Sequence, residues 1–184
     1  AHVLANLINE PKPAFPFLCL TVSGGHTQIV LCKSPTELEV IGQTIDDAAG
    51  EAFDKAAKVL GLPYPGGPLV DKLAQEGNPS AYKLPIPKIP GLNYSFSGLK
   101  TSFLYHIRDN VKINPNYIDE NKANLCAALQ QTIINILMHK LNNVVKDTGI
   151  KEVAVAGGVS ANSGLRNALI EYGVTNNIKI HIPK

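Results

Sequence analysis

The 184 residues are 45% hydrophobic and 17% charged, with 17 Lys and Arg against 15 Asp and Glu and a net charge of +2. That composition builds one globular domain, or one lobe with an appendage, and is too neutral to grip nucleic acid through a basic stripe of its own. Cys19, Cys32 and Cys126 are odd in number and form no C-x-x-C, which argues against a disulfide framework or a Cys-type zinc site and suits a reducing cytoplasm.

No stretch reaches the length of a membrane span, and the first residues do not have the form of a signal peptide. Opening on Ala1-His2-Val3-Leu4 without Met, the chain reads as a piece of something longer. Val3, Leu4 and Ile8 share one side of a helix tail, which Pro11 and Pro13 end. Phe17 to Leu31 then reads as two apolar strands joined at Gly24-Gly25, with a third strand at about 38–44. Gly24 and Gly25 can take the positive φ of a tight hairpin turn. A bare backbone there, beside Ser23 and Thr27, could also aim several N–H groups at an oxyanion or a phosphate.

Asp46 to Gly61 reads as a helix with an acidic start and a glycine stop. Phe53, Ala56, Ala57 and Leu60 make its apolar side, while Asp47, Glu51 and Asp54 share another. Two readings of the three carboxylates stay open. They form ordinary i,i+4 pairs, Glu51 with Lys55 and Asp54 with Lys58, or they hold a metal or ribose hydroxyls.

Tyr64-Pro65-Gly66-Gly67-Pro68 is a rigid turn, with Pro68 starting a helix over about 69–76. Residues 78–98 are extended and full of breakers, a lobe-covering or functional loop. Its Lys83 and Lys88, with Tyr82, Tyr94 and Phe96, suit either core packing with solvated lysines or contact with RNA. A helix follows from Ser97 to about Arg108, then a polar loop over 109–121. Leu125, Leu129, Ile133, Ile136, Leu137, Leu141 and Val144 give a long amphipathic helix over about 122–146, closed by Gly149.

Glu152 to Ala156 is a short buried strand running into Gly157-Gly158, followed by a helix from Ser163 to about Tyr172 and a strand at 178–182. This is not G-x-G-x-x-G, so the dinucleotide fingerprint fails. Asn162 is either the N-cap of that helix or a ligand contact. Two glycine loops, each following a strand, suggest a nucleotide held between them.

Val22-Ser23-Gly24-Gly25-His26-Thr27-Gln28, Ile45 to Lys55, Tyr64 to Pro68, Phe96-Ser97-Gly98-Leu99-Lys100-Thr101 and Ala156 to Asn162 together resemble the TsaD family. Its bacterial names are YgjD and Gcp, and its older name is O-sialoglycoprotein endopeptidase. The resemblance implies an α/β, actin-like ATPase (ribonuclease H-like) lobe, with a mixed sheet opened by an antiparallel meander and helices packed on it. Residues 1–14 would be the tail of a first lobe. Residues 15–184 would be the second, nucleotide-binding lobe, with a helical insertion at about 62–148 and a truncated C-terminal end.

It also implies transfer of a threonylcarbamoyl group from threonylcarbamoyl-adenylate to the adenosine beside the anticodon of ANN-decoding tRNAs. Thr21, Val22, Ser23, Gly24 and Gly25 would meet the phosphate and carbamoyl end. Asp54, Gly67, Asp71 and Asn162 would meet ribose and adenine, with Gly157 and Gly158 in the second loop. An iron or zinc ion would be held by an H-x-x-x-H pair and a distant aspartate. His2 matches one of these ligands, so a lone fragment would bind metal weakly and lack full catalysis. Implied partners are tRNA, a small paralogous subunit, an ATPase subunit and the adenylate-forming enzyme, in the cytoplasm. The resemblance assigns no catalytic group. Two rivals remain: a metal-dependent glycoprotein endopeptidase, and a kinase or non-catalytic ATP-binding module of the same fold.

Overall fold

A computed structural model describes residues 2–8 and 11–183, without the side chains of His2 and Ala5. After a short helix α1 (His2–Ala5), three strands β1 (Phe17–Val22), β2 (Thr27–Ser34) and β3 (Glu37–Gln43) form the predicted meander. Four helices follow: α2 (Ala49–Val59), α3 (Gly67–Ala74), α4 (Ser97–Ile113) and α5 (Tyr117–Thr148). The chain then returns through β4 (Glu152–Ala156), a 3-10 turn (Gly158–Ala161), α6 (Ser163–Asn176) and β5 (Lys179–His181).

The sheet order is β3-β2-β1-β4-β5, antiparallel on the meander side and parallel from β1 onward. Alternation along β1 divides the core. Leu18, Leu20 and Val22 face the main cluster with Phe53, Phe103, Leu129, Ile133 and Leu169, while Phe17 and Cys19 face a smaller one closed by Val3 of α1. The cysteines are inert core residues. Burial pushes the thiols of Cys32 and Cys126 up to about 11.

Three expectations need correction. The polar stretch 109–121 is helical except at its centre. α4 runs on to Ile113 and α5 begins at Tyr117, because Val111, Tyr117 and Ile118 pack on the core. Gly24 and Gly25 do not adopt positive φ. The turn is held instead by the Ser23 amide donating to the His26 carbonyl (2.8 Å) and the His26 amide donating to Ser23 Oγ (3.0 Å).

The acidic start of α2 is displaced too. Asp46 and Asp47 precede the helix, whose first amide, that of Ala49, is capped by the buried hydroxyl of Thr27 at 2.8 Å. Asp46 turns to α4, accepting from the hydroxyls of Ser95 and Ser97 and from the amides of Phe96 and Ser97.

The irregular segment is tied down from α5. Lys140, 7% exposed, donates to the carbonyls of Ile89 (2.5 Å) and Gly91 (2.6 Å), and desolvation lowers its pKa. Tyr94 and Phe96 are stacked inside the core at 0% exposure, so these two rings are not offered to RNA.

Desolvation pushes the Asp46 carboxyl up, but its four hydrogen bonds outweigh that and hold it below the ordinary aspartate value. A depressed folded pKa contributes stability above the unfolded value and loses it as pH falls through the folded one. Asp46→Asn should therefore cost about 1 kcal/mol at pH 7, at the low end because the side chain is exposed. Urea unfolding of both proteins should show the difference shrinking as pH falls below about 4; a difference constant with pH would refute the carboxylate's role.

Candidate functional site

Because β1 and β4 are parallel neighbours, both chains leave the sheet at the same end. The hairpin tip after β1 and the Gly157-Gly158 turn after β4 are therefore adjacent. Gly157 has φ +93°, and a Cβ on it would stand 2.3 Å from the Val22 carbonyl oxygen. Gly50, in the first turn of α2, makes the same kind of approach, its Cβ position lying 2.6 Å from the Ser23 carbonyl oxygen. Only glycine fits either contact.

Together these turns frame a cavity of about 360 Å³. Gly24, Asp54, Gly67, Asp71, Gly158 and Asn162, all expected at the site, line it. Phe53, Tyr64, Pro65, Pro68 and Val159 give it apolar and ring-bearing walls. The other expected residues do not line it. Val22 is buried beneath, Ser23 is spent on its own turn, Gly25 sits at the exposed tip and Gly157 lies behind. Thr21 is buried on the opposite side of the sheet, its hydroxyl 3.9 Å from the Cys19 sulfur.

One end of the cavity is bare backbone. Cβ atoms on Gly24, Gly25 or Gly158 would meet nothing within 4 Å. The amides of these three glycines make no hydrogen bond among the described residues. Bare backbone with room beside it is what an anionic group requires.

The other end is built from helix caps. Asp54 Oδ1 accepts from the amides of Gly66 (2.8 Å) and Gly67 (3.2 Å), capping α3 rather than pairing with Lys58. Glu51 does form its expected pair with Lys55 (2.6 Å), which also meets Asp47 (2.9 Å). Asp54 thus parts from Asp47 and Glu51, which share Lys55. Asp71, on α3, accepts from the amide (2.9 Å) and hydroxyl (2.7 Å) of Ser163 at the start of α6. Asn162 caps α6 through the Leu165 amide at 2.9 Å, so it is the N-cap and lines the cavity as well.

The family profile described as TsaD: tRNA N6-adenosine threonylcarbamoyltransferase matches residues 1–184. This chain belongs to the TsaD family. A relative of that name from Porphyromonas gingivalis is 60% identical over the whole chain, which covers 55% of the relative. One from Cytophaga hutchinsonii is 53% identical, with 53% of its length covered. The chain spans about half the length of the curated TsaD relatives it matches.

Among solved structures, full-length HypF in its phosphate- and nucleotide-bound form superposes with a TM-score of 0.63 at 15% identity, over 89% of this chain and 36% of HypF. That likeness concerns the fold, an actin-like ATPase lobe. Among the described residues no three His, Cys, Asp or Glu side chains gather, and the side chain of His2 lies outside them.

The site residues missing from the sequence reading are Gly50 and the apolar walls. Gly50 left a signal, since a glycine in a first helical turn costs stability unless another backbone comes close.

Gly157→Ala should destabilise by about 2–4 kcal/mol, from strain at positive φ plus the overlap with Val22. Gly158→Ala should stay within about 0.5 kcal/mol. Urea denaturation of the pair checks this, and equal losses would mean that the turns are not in contact.

Proposed function

We propose that the protein transfers a threonylcarbamoyl group from threonylcarbamoyl-adenylate to the exocyclic amine of the adenosine beside the anticodon in ANN-decoding tRNAs. In this step the amine nitrogen bonds to the carbamoyl carbon and gives up one proton to solvent, while the anhydride C–O bond breaks and AMP departs. The observation that carries the reading is the single cavity shared by both glycine turns and the caps Asp54, Asp71 and Asn162, in a chain of this family.

In this reading the cavity holds the adenylate. Gly24 and Gly158 take the phosphate, Asp54 and Asp71 accept from ribose or adenine, and Phe53, Pro65 and Val159 flank the base. The carbamoyl end would then lie at the hairpin tip beside Gly24, without contact to Thr21, whose hydroxyl is on the opposite face of the sheet. Residues 15–184 form the nucleotide-binding lobe, with 62–148 as its helical insertion. The HypF structure with this fold is of a phosphate- and nucleotide-bound form, which agrees with this use of the lobe.

We place the protein in the cytoplasm, with tRNA, a small paralogous subunit, an ATPase subunit and the adenylate-forming enzyme as partners. An iron or zinc ion with His2 as one ligand belongs to the proposal for the whole protein, and no step is derived through it. Among the described residues no helix is long and apolar enough to cross a membrane.

Gly158→Val directs a side chain into the open space, where a Cβ meets nothing within 4 Å. AMP affinity by calorimetry should fall at least about tenfold while stability holds; unchanged affinity would remove the cavity from the proposal. For the reaction, tRNA incubated with the whole protein and threonylcarbamoyl-adenylate should yield modified adenosine on nucleoside mass spectrometry. Phosphorylated product or released glycopeptide in its place would favour the kinase or the endopeptidase.

A further inference from the structure

Gln130 sits in the middle of α5, 7% exposed, and does not line the cavity. Its side-chain amide nonetheless joins two residues that do. Nε2 donates to Asp71 Oδ1 at 3.1 Å, and Oε1 accepts from Asn162 Nδ2 at 2.7 Å. The directions are fixed by what each partner has already committed. Asn162 Oδ1 accepts from the Leu165 amide, so its Nδ2 must donate. Gln130 must then turn its oxygen to Asn162 and its NH₂ to the carboxylate, which accepts only. Space for this amide is kept by Gly164, where a Cβ would stand 2.8 Å from Gln130 Nε2.

These bonds leave two valences unspent at the cavity wall. Asn162 keeps one Nδ2 hydrogen, and Asp71 Oδ2, accepting only from the Ser163 amide, keeps a lone pair. A donor and an acceptor on two cavity-lining residues are thereby tied together, through one amide that bridges α3 and the start of α6.

We propose that Gln130 is a positioning residue for this site: its amide sets the orientation of Asn162 and Asp71, and through them the affinity for the nucleoside half of the ligand. The inference rests on the reading of the cavity as the adenylate site. It adds a residue that never touches the ligand.

The test uses Gln130→Leu and Gln130→Glu in the full chain, with adenosine as the probe because it does not titrate between about pH 5 and 8. In the bonded network of Gln130 the one titratable side chain is Asp71, since Asn162, Ser163 and Gln75 are neutral. A glutamate at 130 would face that carboxylate, and two such groups share a proton with a raised upper pKa. While the proton is held, its O–H donates to Asp71 and the other oxygen accepts from Asn162, as the amide does. Once it is lost, two anions face each other.

Ligand-observed NMR should show Gln130→Leu weakening adenosine binding at least about tenfold at every pH. Gln130→Glu should match the parent near pH 5 and fall about tenfold below it by pH 8, whereas a packing role would give a loss independent of pH. Urea unfolding at both pH values checks that the variants are folded. Parent-like binding by both variants overturns the inference and leaves the adenylate site standing, and so does a pH-independent loss in Gln130→Glu. A parent chain that does not bind adenosine overturns the site and the inference together.

Discussion

The contact between Gly157 and the Val22 carbonyl decides where everything at the site goes. Parallel pairing of β1 and β4 only guarantees that the two chains leave the sheet on the same side. Close apposition of their turns needs more. The chain after β4 must bend through φ +93° with no Cβ to collide with the neighbouring strand. Any side chain at 157 would push the turn outward, and with it Gly158, Asn162 and the start of α6. Gly50 fixes the third wall in the same way, letting α2 press its first turn against Ser23. Two missing methyl groups therefore hold three elements to one hairpin tip.

What fills the resulting space follows from helix ends. Each helix begins with amides that lack intrahelical partners, and a compact fold must supply acceptors for them. Here Thr27 serves α2, Asp54 serves α3, Asp46 serves α4, and Asn162 with Asp71 serves α6. Three of these caps also line the cavity, so the polar groups of the site are fixed by folding before any ligand arrives. Preorganised groups lose less entropy on binding than mobile ones. The cost is that substitutions at Asp54, Asp71 or Asn162 mix stability with affinity. Gly158, beside open space, separates the two more cleanly.

The meander, the long helix and the strand–turn–helix near the end were legible because their signals are local: apolar alternation, a 3.6-residue period, a glycine pair after a short apolar strand. The misread carboxylates share one cause, a partner distant in sequence. Asp46 looks like the acidic start of its own helix, but its donors lie about fifty residues away. Asp54 fits an i,i+4 pair with Lys58 until the fold delivers the Gly66 and Gly67 amides. Gln130 carries no local signal of its role, because its partners Asp71 and Asn162 lie on α3 and at the start of α6. At Gly24-Gly25 the glycines were legible and their reason was not. The turn needs no positive φ there, and the space beyond them is what distinguishes them.

The two ends of the cavity differ in a way that orients a ligand. At the glycine end the wall is the backbone of Gly24 and Gly158, with no side chain to carry a negative charge. At the cap end, Asp54 and Asp71 are anions whose spare lone pairs can only accept. A molecule carrying a phosphate at one end and hydroxyl or amino donors at the other satisfies both, whereas the reversed pose sets phosphate against two carboxylates. At a few ångströms, in a site partly shielded from water, that repulsion exceeds what one hydrogen bond contributes. On the proposed reading this polarity is what points the acyl phosphate of the adenylate toward the hairpin tip, where the acceptor adenosine has to reach it.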